Sequence, residues 1–344
     1  MTVCSGRRRS MESRFQQLAD YVYDVQLRIG ATAAALYVLQ NNRIVHESYS
    51  GRHNEDEHSR IVDVHTQFNV GSVRKTYLAL AISLLIEQGR IESIDDPLSR
   101  YLDKLPECTN DVTLRHLLTH THGLMEREGK LIQEFPAGNG WAYRNAGIAM
   151  LFEIVFRLTG MTLSEFMTEA VFEPYGLRET GWRNTPYEQL IYNYYSRPDN
   201  WVGPNNSTAG DQSNLFVSAR DLAQWGQLHL RCGAAWDGRQ VLPINVFERV
   251  TALQTPKVVP AHKPRNGFIW WLQHATPLNQ IGEHVPAGSY QALGITGCAV
   301  LVIPVYNVVA VRMYNQLFKP VDYDYLKDIR TFGNLVSDAA KSFN

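Results

Sequence analysis

Cysteine is sparse in this 344-residue chain: Cys4, Cys108, Cys232 and Cys298 lie far apart and form no CxxC pair. A disulfide framework or thiolate zinc site is therefore not expected, and a reducing, cytoplasmic setting is. Charge is scarce as well. Asp, Glu, Lys and Arg make up 19% of the residues, 33 basic against 34 acidic, for a formal net charge of -1. No block of five like charges occurs, so neither nucleic acid nor a membrane surface is an expected partner. The short run Arg7, Arg8, Arg9 reads as a solvated terminus. No apolar stretch follows it, since Met11 to Asp20 reads MESRFQQLAD. A secretory signal is not expected, and translation can start at Met1 or Met11. One long segment, Val285 to Val311, has no Asp, Glu, Lys or Arg. Gly288, Gly294, Gly297, Pro304 and Asn307 interrupt it. It reads as two buried strands joined at a turn around Pro304 to Asn307, not as a membrane helix.

Several signatures are missing: HExxH, GxGxxG and GxSxG. The stretch from Gly71 to Thr76 resembles a phosphate loop only superficially, lacking the four-residue spacer and the glycine before the lysine. His120 and His122, spaced i and i+2, suit joint metal ligation poorly and read as surface or capping histidines. No cofactor and no metal are expected.

What is present is apolar material, 44% of the residues, enough for one large or about two ordinary domains. Phe15, Leu18, Val22, Val25 and Ile29 recur at helical spacing with Gly30 as a stop. Ala33–Leu39 and Ile44–Tyr49, flanking Gln40, Asn41, Asn42 and Arg43, then read as a hairpin of two strands. Ser72–Gln88 is helical again, ended by Gly89. Between Pro97 and Leu242 helix and loop dominate: Leu114–Leu118, Ile148–Leu158, Leu163–Val171 and Ala219–Leu230. Strands return at Gly267–Leu272 and Cys298–Met313, and a helix over Tyr325–Ser342 closes the chain. Sheet at both ends and helix between predict an α/β domain, 1–96 with 243–344, carrying an inserted helical domain, 97–242. The cleft between them is the expected site.

The feature with chemical content is Ser72-Val73-Arg74-Lys75 at the head of the apolar helix. Residues three apart share a helix face, so the Lys75 amine can stand beside the Ser72 hydroxyl. Serine needs a neighbouring base to become a nucleophile. Lys75 can be that base only if neutral, and burial and the helix dipole both disfavour its charged form. A capping serine with a solvated lysine gives the same pattern. The second feature is Tyr143-Arg144-Asn145, where a tyrosine could relay a proton and an asparagine could hold Lys75 or a substrate carbonyl.

The order of these residues resembles the serine β-lactamase-related hydrolases: penicillin-binding proteins, class C β-lactamases, and their esterase and aminohexanoate-oligomer hydrolase relatives. The resemblance runs from FNVGSVRKTYLALAISLLIEQGRIESIDDPLSRYL through TLRHLLTHTHGL, YRNAGIAMLFEIVFRLTG, EPYGLRETGW, SARDLAQWGQL and GFIWWL to the C-terminal strands. It implies a β-lactamase/transpeptidase-like fold, an antiparallel sheet flanked by helices with an inserted all-helical domain. It also implies Ser72 as the acylated nucleophile, Lys75 as its base, Tyr143 as second base and Asn145 completing the second motif.

The third family motif, Lys-Thr-Gly or His-x-Gly, is absent. Counting back from Pro304, the matching triplet is Ala292-Leu293-Gly294, with Ala292 in place of the cation. The esterase branch, which this version resembles, implies an oxyanion hole from the main-chain N–H groups of Ser72 and Ile295. An ester or amide of a small acyl compound is then the expected substrate, with weak or no β-lactamase activity. Lys263 or Arg265 could supply a substitute cation, restoring carboxypeptidase or β-lactamase character, and a non-catalytic ligand-binding relative is the other alternative. His122, where the family has serine, reads as touching substrate or packing its loop. Phe268, Trp270, Trp271, Tyr192, Tyr194 and Tyr195 could line an acyl pocket. Oligomeric state is not legible.

Overall fold

A computed structural model describes residues 14–194, 201–202, 204–274, 281–317 and 319–341. Cys4, Arg7–Arg9 and Tyr195 lie outside them. The expected first helix forms as α1, Gln16–Ile29, burying Leu18, Val22, Val25 and Ile29 and ending at Gly30 in the left-handed conformation. The hairpin follows as β1 (Ala33–Gln40) and β2 (Arg43–Gly51). Its two-residue turn, Asn41 and Asn42, has φ of 52° and 58°. Asparagine tolerates those angles, and they match the twist of the flanking strands.

After β3 (Gln67–Asn69), a 3-10 turn, Gly71–Arg74, opens into α2, Lys75–Glu87. Every residue of α2 from Lys75 to Leu85 is buried, as expected for a helix apolar all round its circumference. Then come α3 (Leu114–Leu118), the hairpin β4 (Leu124–Arg127) and β5 (Lys130–Gln133), α4 (Ile148–Thr159), α5 (Leu163–Met167), a π turn at Thr168–Phe172 and α6 (Glu173–Tyr175). Strands β6 (Thr180–Trp182), β7 (Asn193–Tyr194), β8 (Trp201–Val202) and β9 (Leu215–Ser218) precede α7 (Ala219–Leu230) and α8 (Ile244–Thr251). The chain ends with β10 (Trp271–Leu272), β11 (Tyr290–Leu293), β12 (Ala299–Ile303), β13 (Val308–Tyr314) and α9 (Tyr325–Lys341).

The main sheet is antiparallel, ordered β10-β11-β12-β13-β1-β2, so the two ends of the chain build it together. Both its faces are covered. Along β1, Ala33, Ala35, Tyr37 and Leu39 face one core, and Ala34, Leu36 and Val38 face the other with α1 and α9, the period of two that a strand imposes. A smaller sheet, β3-β9-β6, pairs the strand before Ser72 with β9.

Four expectations need correction. The uncharged segment holds β11 as well as β12 and the start of β13, because a tight turn at Gly294–Gly297 lets β11 pair back on β12. Within Gly267–Leu272 only Trp271–Leu272 is strand, since Ile269 has φ of 68° and Gly267 N–H turns onto Trp270 O. Helix α8 was not expected; it packs on α2, with Ser83 Oγ donating to Val246 O at 2.8 Å. Helix α7 falls inside the stretch 97–242 yet lies on β1, β12 and β13, where Leu222, Ala223 and Trp225 are buried.

Gly226 permits that close approach: a Cβ there would stand 2.5 Å from Val309 Cγ1 and 3.0 Å from Val300 Cγ2. Alanine is the better helix former by about 1 kcal/mol, but overpacking costs about 1–3 kcal/mol. Gly226→Ala is therefore expected to lower the urea midpoint of unfolding, and a raised midpoint would contradict this packing.

Candidate active site

The turn that carries Ser72 is shaped by its neighbours. Gly71 has φ of 54°, and its N–H donates to Asn69 Oδ1 at 2.9 Å while Asn69 Nδ2 donates to Ser213 O at 2.8 Å. Lys75 follows as the first residue of α2. Its side chain is 1% exposed, and Nζ lies 3.2 Å from Ser72 Oγ, 2.6 Å from Tyr143 Oη and 2.7 Å from Asn145 Oδ1. Burial, and then the charge of Arg74, push its ammonium down to about 7. Burial raises the Tyr143 hydroxyl, opposed by its hydrogen bond to Ser72 and by Arg74. The Tyr143 ring sits beside His120, centroids 4.6 Å apart, and beside Trp271 at 6.1 Å.

These four residues open onto one cleft of about 560 Å³, also lined by Gly294 and Ile295. Main-chain close approach brings that last pair in: a Cβ on Gly71 would stand 3.1 Å from Ile295 N. Tyr143, Asn145 and Ser213 from 97–242 line the cleft together with residues from the flanking segments.

Three expected site residues lie elsewhere. His122 is 1% exposed, and its Nδ1 accepts the Leu124 N–H at 2.9 Å. Desolvation lowers its pKa to about 4. Gly147 packs so closely on its ring that a Cβ would meet Cδ2 at 3.3 Å, so His122 braces the turn behind Tyr143 and Asn145. His120 is likewise buried, not at the surface. Trp270 points into the core, against His229 and Tyr290, whereas Trp271, one residue on, lines the cleft. Ala292 and Leu293 divide the same way, Ala292 to the core and Leu293 to the cleft, because successive strand residues face opposite sides. Phe268 and Tyr194 are buried.

Reading the sequence missed Arg74, Leu317, Lys319, Tyr323 and Tyr325, all of which line the cleft. Arg74 stood inside the motif already singled out. Nothing local marks the other four, which arrive from the loop after β13 and the first residue of α9. Lys263 and Arg265 are not among the lining residues, and Arg265 donates to Val259 O.

An antiparallel sheet covered by helices, with this Ser-Lys-Tyr-Asn constellation at the head of a buried helix, defines a β-lactamase/transpeptidase-like protein. The chain belongs to the Beta-lactamase family, whose pattern its residues 12–332 match, a family of serine hydrolases. It is 39% identical over 328 residues to an uncharacterized protein of Alkalihalophilus pseudofirmus, covering 95% of this chain and 96% of that one. It is 27% identical to the esterase EstB of Burkholderia gladioli, over 51% of this chain and 54% of the esterase. Among solved structures, EstCE1, a hydrolase with promiscuous acyltransferase activity, superimposes with a TM-score of 0.73 at 17% identity, covering 98% and 99% of the two chains. A class C β-lactamase does so with 0.75 at 15% identity, covering 96% and 97%. At those identities the likeness is one of fold.

A Cβ on Gly294 would stand 2.2 Å from Val70 O, a main-chain atom two residues before Ser72. Gly294→Ala is therefore expected to push the two walls of the cleft apart and slow fluorophosphonate labelling of the protein by about a hundredfold. An unchanged labelling rate would contradict this account of the walls.

Proposed function

We propose that the chain is a serine hydrolase that opens an ester or amide of a small acyl compound through an acyl-serine intermediate. The observation that carries this reading is Lys75 Nζ within hydrogen-bond reach of Ser72 Oγ, Tyr143 Oη and Asn145 Oδ1 together.

An ammonium has three donors for those three acceptors. A neutral amine has two donors and a lone pair, and one hydroxyl must then donate to it. Asn145 Oδ1 can only accept, so the hydroxyl is that of Ser72 or Tyr143. When it is Ser72, attack of Oγ on the substrate carbonyl passes its proton to Lys75. The tetrahedral oxyanion would be held by the N–H groups of Ser72 and Ile295, main-chain donors unaffected by the loss of a third-motif cation. Tyr143, bonded to Lys75, is placed to return the proton to the leaving group. Water then enters along the same route in reverse, leaving the acid and restoring Ser72.

The similar proteins support the class: an esterase and a hydrolase with promiscuous acyltransferase activity. With Ala292 where the family has a cation beside the scissile bond, efficient β-lactam turnover is not part of the proposal. The cytoplasmic assignment stays with it, alongside unpaired Cys108, Cys232 and Cys298. Among the described residues no helix is long and apolar enough to cross a membrane.

Mass spectrometry after fluorophosphonate treatment should find one adduct, on Ser72. Hydrolysis of activated esters should fall about a thousandfold or more in Ser72→Ala. No adduct on the folded protein, or an adduct that persists in Ser72→Ala, would overturn the reading.

A further inference from the structure

Among the described residues, the lining of the cleft includes three basic side chains, Arg74, Lys75 and Lys319, and no aspartate or glutamate. Lys75 is committed to Ser72, Tyr143 and Asn145. The other two are not explained by the acyl-transfer chemistry, and neither forms an ion pair among the described residues.

Lys319 is the more informative. Its loop is held by pairing of Leu317 N–H with Tyr194 O and of Tyr194 N–H with Asn315 O, at 2.8 and 2.9 Å. Nζ donates to Gln316 O and lies beside Gly297, where a Cβ would stand 3.3 Å from it. Gly297 closes the turn that carries Gly294 and Ile295, so this cation stands on the sheet side of the cleft, next to the segment proposed for the oxyanion. The carboxylate whose charge acts on it is Asp328. Both its oxygens are taken by Arg312, at 2.8 and 2.5 Å. Burial and then Arg312 push the Lys319 ammonium down to about 7. Lys319 is thus half-buried with one main-chain acceptor and no ion-paired carboxylate among the described residues, an arrangement in which a bound anion stabilises the charged form.

Arg74 adds to the field from the other side of the chain's architecture. It is 8% exposed, its Nε donates to Ser213 Oγ at 3.2 Å, its guanidinium lies over the Phe152 ring, and its Nη1 has no partner among the described residues. Between these charges the wall is apolar and aromatic: Leu293, Ile295, Leu317, Trp271, Tyr323 and Tyr325.

We propose that Lys319 is the anion-recognising residue of this cleft, reinforced by Arg74, and that the preferred substrates are small acyl esters or amides bearing a carboxylate remote from the scissile bond. The inference rests on the acyl-serine reading and adds the substrate class to it. It also moves the cation from the strand position now held by Ala292 to a different element, the loop after β13.

The test compares matched esters. 4-Nitrophenyl hydrogen glutarate against 4-nitrophenyl pentanoate places the charge in the acyl part; 4-acetoxybenzoate against phenyl acetate places it in the leaving group. In the wild-type protein, kcat/KM is expected to favour the charged member of at least one pair by about tenfold or more. That ratio should fall about tenfold in Lys319→Met, mainly through KM, and return in Lys319→Arg. Should Lys319→Met fold poorly, raising salt on the wild-type protein supplies the second measurement, because screening lowers the same ratio. No preference in either pair, or a preference unmoved by both the substitution and salt, would overturn the inference. Turnover of no ester at all would instead overturn the acyl-serine reading beneath it.

Discussion

Lys75 is a lysine held out of water with no carboxylate beside it, and the rest of the cleft is arranged around that constraint. Burying a charged amine without an anion costs several kcal/mol, and Arg74, its chain neighbour, adds repulsion. The neutral amine is therefore favoured at the pH where an ordinary lysine is fully charged. Neutrality requires a hydroxyl to donate to the amine, which is the proton path of the proposed mechanism. The apolar surroundings of α2, adverse to a charge, suit this amine.

The fold supplies the constraint from both ends of the chain. The serine turn is fixed by Asn69 and by β3 pairing with β9. The opposite wall, Gly294–Ile295, comes from the strand pair β11 and β12, whose tight turn lies against Val70. A third wall depends on a buried ion pair. Arg312 on β13 donates from Nη1 and Nη2 to the two carboxylate oxygens of Asp328 on α9, and Asp328 also accepts from Tyr21 and Tyr323. That knot ties α1, β13 and α9 together and sets where the loop bearing Lys319 and Tyr323 meets the cleft.

Much of this was legible in the sequence wherever the signal was local. Period 3.6 with Gly30 as a stop gave α1 closely, two strand-like runs flanking Gln40–Arg43 gave the first hairpin, and the spacing of Ser72 and Lys75 placed one beside the other. Tyr143 and Asn145 took their meaning from the family resemblance, since a three-residue pattern has little specificity alone. Strand parity caused the miss at Ala292, and the turn at Ile269 the one at Trp270: each is one residue away from a side chain that does face the cleft. His122 stands where the family has serine, which leaves a substrate contact and a loop-packing role both open; a desolvated imidazole accepting one main-chain N–H takes the second. Lys319 was invisible because its place depends on Tyr194 and Gly297, remote in sequence and joined to it only by folding.

The central claim is that Lys75 is poised between its two protonation states near neutrality. On this account the amine is charged below about pH 7 and neutral above it, so the proposed base becomes competent as pH rises. The direct measurement is an NMR titration of the protein carrying ε-13C lysine, with the Lys75 signal assigned by its loss in Lys75→Arg. The account predicts a midpoint near 7, whereas a midpoint near the ordinary lysine value of about 10.4 would contradict it.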